Sequence, residues 1–393
     1  MSSVKGRIPV SIITGFLGAG KSTLLNRILK DPAMKDAAVI INEFGEVGID
    51  HMLVEASNDS VIELADGCLC CTVRGELVET LAMLIDGMQT GKLKPISRVV
   101  IETTGLADPA PVMQSVMGHP AISQHFDLDG VITVVDAVNG LKTLEGFSEA
   151  LRQAAVADRL ILTKKTLADE ATIDALAVRL RELNPRAVIT DGDSEGAGEA
   201  AVLVNGLYDP ATKIADVDRW LRDEIAAEHD HGHDHHDDEH HGHEHHHDHG
   251  HHHDHATHHH HHHDVNRHGN DIRSYSIIHD KPIDPMALEM FLDILRSTHG
   301  EKLLRMKAVV ALTDRPDRPV VLHGVQSIFH QPVRLPAWPD PSDQRTRLVL
   351  ITKDLPETYV RELFDAFTGR PAIDRPDRAA LEDNPLAIPG LKI

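Results

Sequence analysis

Three cysteines stand within four residues, Cys68, Cys70 and Cys71, in D-G-C-L-C-C at Asp66–Cys71, and the sequence holds no others. C-x-C spacing is too tight for an ordinary disulfide and an odd number cannot all pair internally, so the cluster reads as reduced thiolates. Thiolates are soft ligands suited to zinc, and also to cobalt or copper(I). A structural zinc site usually closes with four protein ligands. Here a carboxylate, a histidine or water must complete the sphere, which favours exchange over permanent storage. Packing cysteines and redox-sensing thiols are the other readings of the same residues.

Two further stretches bracket the cysteines. G-F-L-G-A-G-K-S-T at Gly15–Thr23 follows the pattern G-x4-G-K-[ST]. Such a loop cradles phosphates with its backbone N–H groups, here along Gly15, Gly18 and Gly20, while Lys21 reaches the terminal phosphates and Ser22 offers a hydroxyl to magnesium. E-T-T-G-L-A-D at Glu102–Asp108 places a carboxylate at the end of an apolar run and a glycine, Gly105, three residues on. A magnesium-linked sensor of the γ-phosphate needs that pair: a carboxylate for the ion's water shell and a backbone N–H free to move. Asn42–Asp50 adds carboxylates at 43, 46 and 50 between glycines, either a mobile loop near a metal or a solvated acidic loop.

The elements that must position these groups are legible as short β-branched runs. Arg7–Thr14, Ala37–Ile41, Ser60–Leu64, Arg98–Ile101, Val131–Val135, Leu160–Leu162 and Val188–Thr190 read as strands. Thr23–Lys30 and Val73–Gly87 carry helical periodicity. Strand and helix alternate, which predicts an α/β domain with a mostly parallel sheet and its ligands at the strand C-termini. Beyond about Asp223 the composition changes. Between His229 and His263, 22 of the chain's 30 histidines occur among Asp, Glu and Gly, including His258, His259, His260, His261, His262 and His263. This segment cannot bury enough surface to offset its entropy and is expected to be disordered. Its imidazoles suit a low-selectivity metal collector; a solubilising linker is the bland alternative. Order resumes near Asn270, with strands at Ile272–Ile278, Leu303–Leu312, Pro319–His323 and Thr346–Ile351 and helices at Pro285–Ser297 and Pro356–Phe367, a small α+β domain. The expected division is 1–222, 223–269, 270–368 and a tail at 369–393.

A formal charge of -22 argues against nonspecific nucleic-acid binding. No run approaches the roughly 20 apolar residues of a membrane span. The first residues lack the apolar core of a secretory signal, so a cytoplasmic address and a reducing compartment are expected.

In combination these stretches resemble the CobW-like metal-handling GTPases, related to the urease and hydrogenase accessory GTPases. The resemblance rests on Gly15–Thr23, I-N-E-F-G-E-V-G-I-D at Ile41–Asp50, G-C-L-C-C at Gly67–Cys71, E-T-T-G-L-A-D-P-A-P at Glu102–Pro111 and V-V-D-A at Val134–Ala137. It continues through R-S-Y-S at Arg273–Ser276, G-V-Q-S-I-F-H at Gly324–His330 and R-L-P-A-W at Arg334–Trp338, which look like the CobW C-terminal domain. The resemblance implies a P-loop GTPase that binds GTP and magnesium and delivers a transition metal to a client metalloprotein. Lys21, Ser22 and Thr23 would hold phosphates and magnesium, with Glu102 at the magnesium end of the switch. Cys68, Cys70 and Cys71 would hold the metal, with Glu43 as an oxygen ligand. Where the family has N-K-x-D for reading guanine, this chain has T-K-K-T at Thr163–Thr166. Thr163 and Lys164 keep their places by the nucleotide, but Thr166 offers a neutral hydroxyl instead of a carboxylate for the guanine N1 and N2 groups. That predicts weaker discrimination between GTP and ATP.

The expected function is therefore a GTP-hydrolysing metallochaperone for zinc, acting as a monomer or weak oligomer, with cobalt delivery for cobalamin synthesis as the alternative of the same class. A histidine-rich metal store with vestigial hydrolysis, and a regulatory GTPase without metal cargo, are the readings of other classes.

Overall fold

The computed structural model describes residues 7–41, 61–63, 72–204 and 272–369. Among them, β1 (Ile8–Gly15), β2 (Ala37–Ile41), β3 (Val61–Glu63), β4 (Arg98–Glu102), β5 (Phe126–Asp136), β6 (Arg159–Thr163) and β7 (Val188–Asp191) form one sheet in the order β3-β2-β4-β1-β5-β6-β7. Every pairing in it is parallel. The connections carry α1 (Lys21–Ile28), α2 (Thr72–Gln89), α3 (Ala110–Gly118), α4 (Pro120–Ser123), α5 (Gly140–Gly146), α6 (Ser148–Ala155) and α7 (Glu170–Leu183).

The central strands are apolar at nearly every position because both faces are covered. Successive residues enter opposite cores: Ile12, Ala38, Ile40, Val99 and Ile101 pack on one side, and Ile13, Val39, Ile41 and Val100 on the other. Parallel pairing brings the C-terminal ends of β1, β2, β4, β5 and β6 to one edge of the sheet. Gly15, Glu102, Asp136 and Thr163 all end strands there.

Two elements start at least two residues before the position read from the sequence. β5 begins at Phe126, five residues before the apolar run, because Asp127, Asp129 and Gly130 interrupt the pattern without interrupting the strand. The register against β1 shifts at Val10/Ser11, and Asp129 pairs with Arg98 at 2.5 Å while Asp127 meets Arg7 at 3.0 Å. α1 begins at Lys21, inside the phosphate motif, rather than at Thr23.

The second sheet is antiparallel, built from β8 (Ile272–His279), β9 (Leu303–Val310), β10 (Val320–Val325), β11 (Ile328–Phe329), β12 (Val333–Arg334) and β13 (Thr346–Lys353) in the order β11-β10-β9-β13-β8, with β12 on β10. α8 (Pro285–His299) and α9 (Glu357–Thr368) pack on it through Phe291 and Phe364, whose rings meet edge-on at 5.3 Å. Asp284 caps α8 by accepting from the Met286 and Ala287 N–H groups. This is the small α+β unit expected from the sequence.

The two sheets share a core. Leu304, Val325 and Ile351 pack in one cluster with Val112, Met113 and Val116 of α3 and with Val156. At the seam Asp158, only 4% exposed, accepts from both Arg305 Nη2 (2.6 and 2.8 Å) and Lys307 Nζ (2.5 Å), and also from the Val131 N–H at 2.9 Å. Burial alone would raise the Asp158 pKa. The two cations and the Val131 N–H overcome it and hold the carboxyl below the usual aspartate range. Gln114 of α3 donates to Gln326 at 2.7 Å, and Arg186 to Ser276 at 2.6 Å, across the same seam.

Candidate nucleotide and metal-ion site

The phosphate loop is the turn from β1 into α1. Gly15 has φ 142°, and a Cβ there would stand 2.3 Å from the Val134 carbonyl oxygen of β5, so only glycine can leave the strand at this point. Gly20, with φ 97°, stands at the N-cap of α1, where no side chain caps the helix and no acidic residue occupies the first turn. The first N–H groups of α1 therefore face the loop with a positive helix end behind them, the arrangement that receives an anion. Lys21 and Ser22 are both buried at this end, and Thr23 is exposed. The Lys21 ammonium donates to the Phe16 carbonyl at 3.4 Å, a long contact that a phosphate oxygen would replace with a shorter one.

Ser22 Oγ donates to Glu102 Oε1 at 2.8 Å, and both side chains are buried. β1 and β4 are direct neighbours, with Ile13 opposite Glu102, which is what brings residues 80 positions apart together. A hydroxyl and a carboxylate side by side beside the phosphate loop are hard oxygen donors, the set that suits magnesium.

Beyond Glu102 the sensing segment lies against the loop. The Thr103 N–H donates to the Ile13 carbonyl at 2.9 Å, and its hydroxyl to Thr14 Oγ1 at 2.7 Å. Gly105 touches the loop so closely that a Cβ would come within 2.6 Å of the Leu17 nitrogen. α6 grips the same segment: Gln153 Nε2 donates to the Gly105 and Ala107 carbonyls, and Arg152 pairs with Asp108 at 2.8 Å.

At the far end of the loop Thr163 Oγ1 donates to the Ala19 carbonyl at 2.7 Å. Lys164, in the left-handed region at φ 58°, lays its side chain along the loop and donates to Gly18 O and Asp136 Oδ2, each at 2.8 Å. Burial would raise the Asp136 pKa, but Lys164 and the Val138 N–H reverse it and hold the carboxyl below its ordinary value. Thr166 is exposed. The carboxylates around it are engaged: Asp193 accepts from the Lys164 and Lys165 N–H groups, Asp191 from Lys165 Nζ at 2.7 Å, and Asp169 from the Thr172 N–H at 2.8 Å. Beside the loop, Phe16, Leu17, Asp136, Asn139, Leu144 and Gln153 help to line a cavity of about 280 Å³.

The structure thus brings together Gly15, Gly18, Gly20, Lys21, Ser22, Glu102, Gly105, Thr163 and Lys164 at one sheet edge. Glu43, Cys68, Cys70, Cys71 and His258–His263 lie outside the described residues. Among the described residues no group of three or more His, Cys, Asp or Glu side chains could hold a metal ion, and no helix is long and apolar enough to cross a membrane. Sequence reasoning assigned no role to Asp136, Gln153 or Asp193. Asp136, a carboxylate ending an apolar strand in V-V-D-A, carried the same signal as Glu102; Gln153 and Asp193 carried none.

Residues 9–191 match the CobW/HypB/UreG nucleotide-binding domain, and residues 272–368 match the cobalamin synthesis protein cobW C-terminal domain. The zinc chaperone YjiA of Escherichia coli (strain K12) is 32% identical over 360 residues, covering 91% of this chain and 98% of that protein. A zinc chaperone CobW from Sinorhizobium sp is 30% identical over 261 residues, covering 59% of this chain and 72% of that protein. The crystal structure of Zn(II)-bound YjiA GTPase from E. coli superposes with a TM-score of 0.58 at 26% identity, covering 92% of this chain and 99% of that one. With both family models matched in order along the chain and a relative 32% identical that it covers almost end to end, the chain belongs to the CobW/HypB/UreG family of P-loop nucleotide-binding proteins and carries the CobW C-terminal domain.

Proposed function

We propose that the chain is a GTP-hydrolysing metallochaperone that holds zinc at Cys68, Cys70 and Cys71 and passes it to a client metalloprotein, with the nucleotide state gating the transfer. The observation that carries the reading is the junction between phosphate loop and sensing segment. Ser22 bonds Glu102 at 2.8 Å while Gly105 presses on Leu17, so a change at the terminal phosphate acts directly on Glu102–Asp108. Lys21 and the Gly105 N–H would meet the terminal phosphate. Ser22 and Glu102 would hold a magnesium ion, which would supply positive charge against the phosphates. The relatives named as zinc chaperones support zinc over cobalt as cargo. In this reading the chain is organised as 1–222, 223–269 and 270–368. Glu43 adds an oxygen ligand beside the thiolates, the histidine tract that includes His258–His263 buffers ions nearby, and the second domain offers the docking surface for the client.

The test is zinc affinity by chelator competition with a non-hydrolysable GTP analogue or with GDP. It uses the intact chain, a deletion of residues 229–263, and the triple variant Cys68→Ser, Cys70→Ser, Cys71→Ser. Reciprocal coupling predicts an affinity ratio of about 5- to 150-fold between the two nucleotide states, retained in the deletion and lost in the triple variant. Equal affinities in both states overturn the gating. A ratio unchanged by the cysteine substitutions overturns the cysteine site.

A further inference from the structure

Gln153 is 1% exposed, on a short helix that contributes nothing to the phosphate loop itself. A buried amide must satisfy its donors, and its Nε2 spends both on carbonyls of the sensing segment: Gly105 at 3.1 Å and Ala107 at 2.9 Å. Those two carbonyls flank Leu106. Fixing both sets the path of the chain through Gly105, where the Leu17 backbone leaves no room for a Cβ. Gly105 is therefore held by the phosphate loop and one side chain. Arg152, the preceding residue on α6, holds Asp108 at 2.8 Å, and Asp108 in turn accepts from the Ala110 N–H, at the start of α3, at 2.9 Å.

The grip is firm because α6 cannot drift. The Gln153 carbonyl accepts from Thr133 Oγ1 of β5 at 2.7 Å. Asn184, buried at the end of α7, donates its side-chain amide to the Ala154, Ala155 and Ala157 carbonyls at 3.0, 3.1 and 2.8 Å. Arg305 of the second sheet donates to the Val156 carbonyl, just past the helix. A helix tied at its face and its C-terminal end is a rigid mount, and rigid mounting is what a positioning group requires.

We propose that Gln153 is a positioning residue for nucleotide hydrolysis: mounted on α6, it holds Gly105 where its N–H serves the terminal phosphate. It acts through Gly105, and the proposal rests on the reading that the chain hydrolyses GTP. Binding of the diphosphate does not use the Gly105 N–H, so loss of the grip falls on kcat and spares GDP.

The test measures GTP hydrolysis and fluorescent-GDP affinity on the full chain for wild type, Gln153→Met and Gln153→Glu. Gln153→Met keeps the volume and removes the donors. It is expected to lower kcat about tenfold or more, with KM and GDP affinity within about twofold of wild type. Gln153→Glu supplies a pH signature: ionised, it repels the two carbonyls; protonated, as burial favours, it donates to one of them. Its kcat should rise relative to wild type as the pH is lowered. A Gln153→Met kcat within twofold of wild type, or a Gln153→Glu profile parallel to wild type, overturns the proposal. So does a parallel loss of kcat, GDP affinity and thermal stability, which marks packing alone. Absence of hydrolysis in the wild type overturns the underlying reading with it, and is distinguished because the unmodified chain alone shows it.

Discussion

In the proposed reading Thr166 presents a hydroxyl where a guanine-reading carboxylate would accept two hydrogen bonds, and Asp169, Asp191 and Asp193 already have donors of their own. Asp193 closes on the Lys164 and Lys165 N–H groups, Asp191 on Lys165 and Asp169 on Thr172. Thr166→Asp restores a charge-assisted acceptor worth about 1.5–3 kcal/mol. The expected outcome is a rise in the GTP-over-ATP preference of about tenfold to a hundredfold, read as the ratio of the two binding constants by competition. The wild type, by the same argument, discriminates by less than about a thousandfold. At this scale the sequence was legible where spacing alone specifies chemistry, as in Gly15–Thr23, since contiguous residues need no fold to meet. Gln153 was not, because its partners, Gly105 and Ala107, lie more than forty residues away and only the packing of α6 brings them together.

Loops that end parallel strands touch one another, and the contact between Gly105 and Leu17 shows how little slack they have. Gly105→Ala places a methyl group 2.6 Å from the Leu17 nitrogen, so one of the two loops must retreat. A displacement of about 1 Å at a reacting group costs on the order of a hundredfold in rate. GTP hydrolysis by the variant is expected to fall by about that factor while GDP affinity holds, measured by single-turnover hydrolysis and GDP titration. The strands themselves were easy to read: β2 runs from Ala37 to Ile41, the bounds of its apolar run, because a strand covered on both faces writes its length in hydrophobic residues. β5 extends five residues ahead of its apolar run for the complementary reason. Its first half carries Asp127 and Asp129, which are satisfied by arginines from elsewhere in the chain. α1 starts two residues ahead of its helical periodicity because the phosphate motif overlaps the first turn of the helix it opens.

Across the whole molecule the two sheets are joined by a buried charge cluster as well as by apolar packing. Removing one partner of such a pair leaves the others buried and uncompensated, at a cost of about 3–5 kcal/mol. Asp158→Asn is expected to destabilise the chain by about 3 kcal/mol near neutral pH, read from chemical unfolding. The pKa of Asp158 is lowered in the folded state, so its contribution is complete above the unfolded aspartate value of about 3.9 and is lost as the pH falls through the lower folded value. Wild type and variant should therefore converge in stability as the pH falls from the unfolded aspartate value through the lower folded one. None of this was legible in the sequence, where Asp158 and Arg305 are 147 positions apart and read as ordinary charged residues. The shared core also sets a timetable for synthesis. Val156 and Arg305 are 149 residues apart, and at roughly 5–20 residues per second translation needs roughly 7–30 s to span that interval. Until Leu304, Val325 and Ile351 emerge from the ribosome, the surface of α3 that they cover stays open on the nascent chain. How long that sticky surface is available to other chains is set by the speed of translation, and no increase in the folding rate of the first sheet can shorten it.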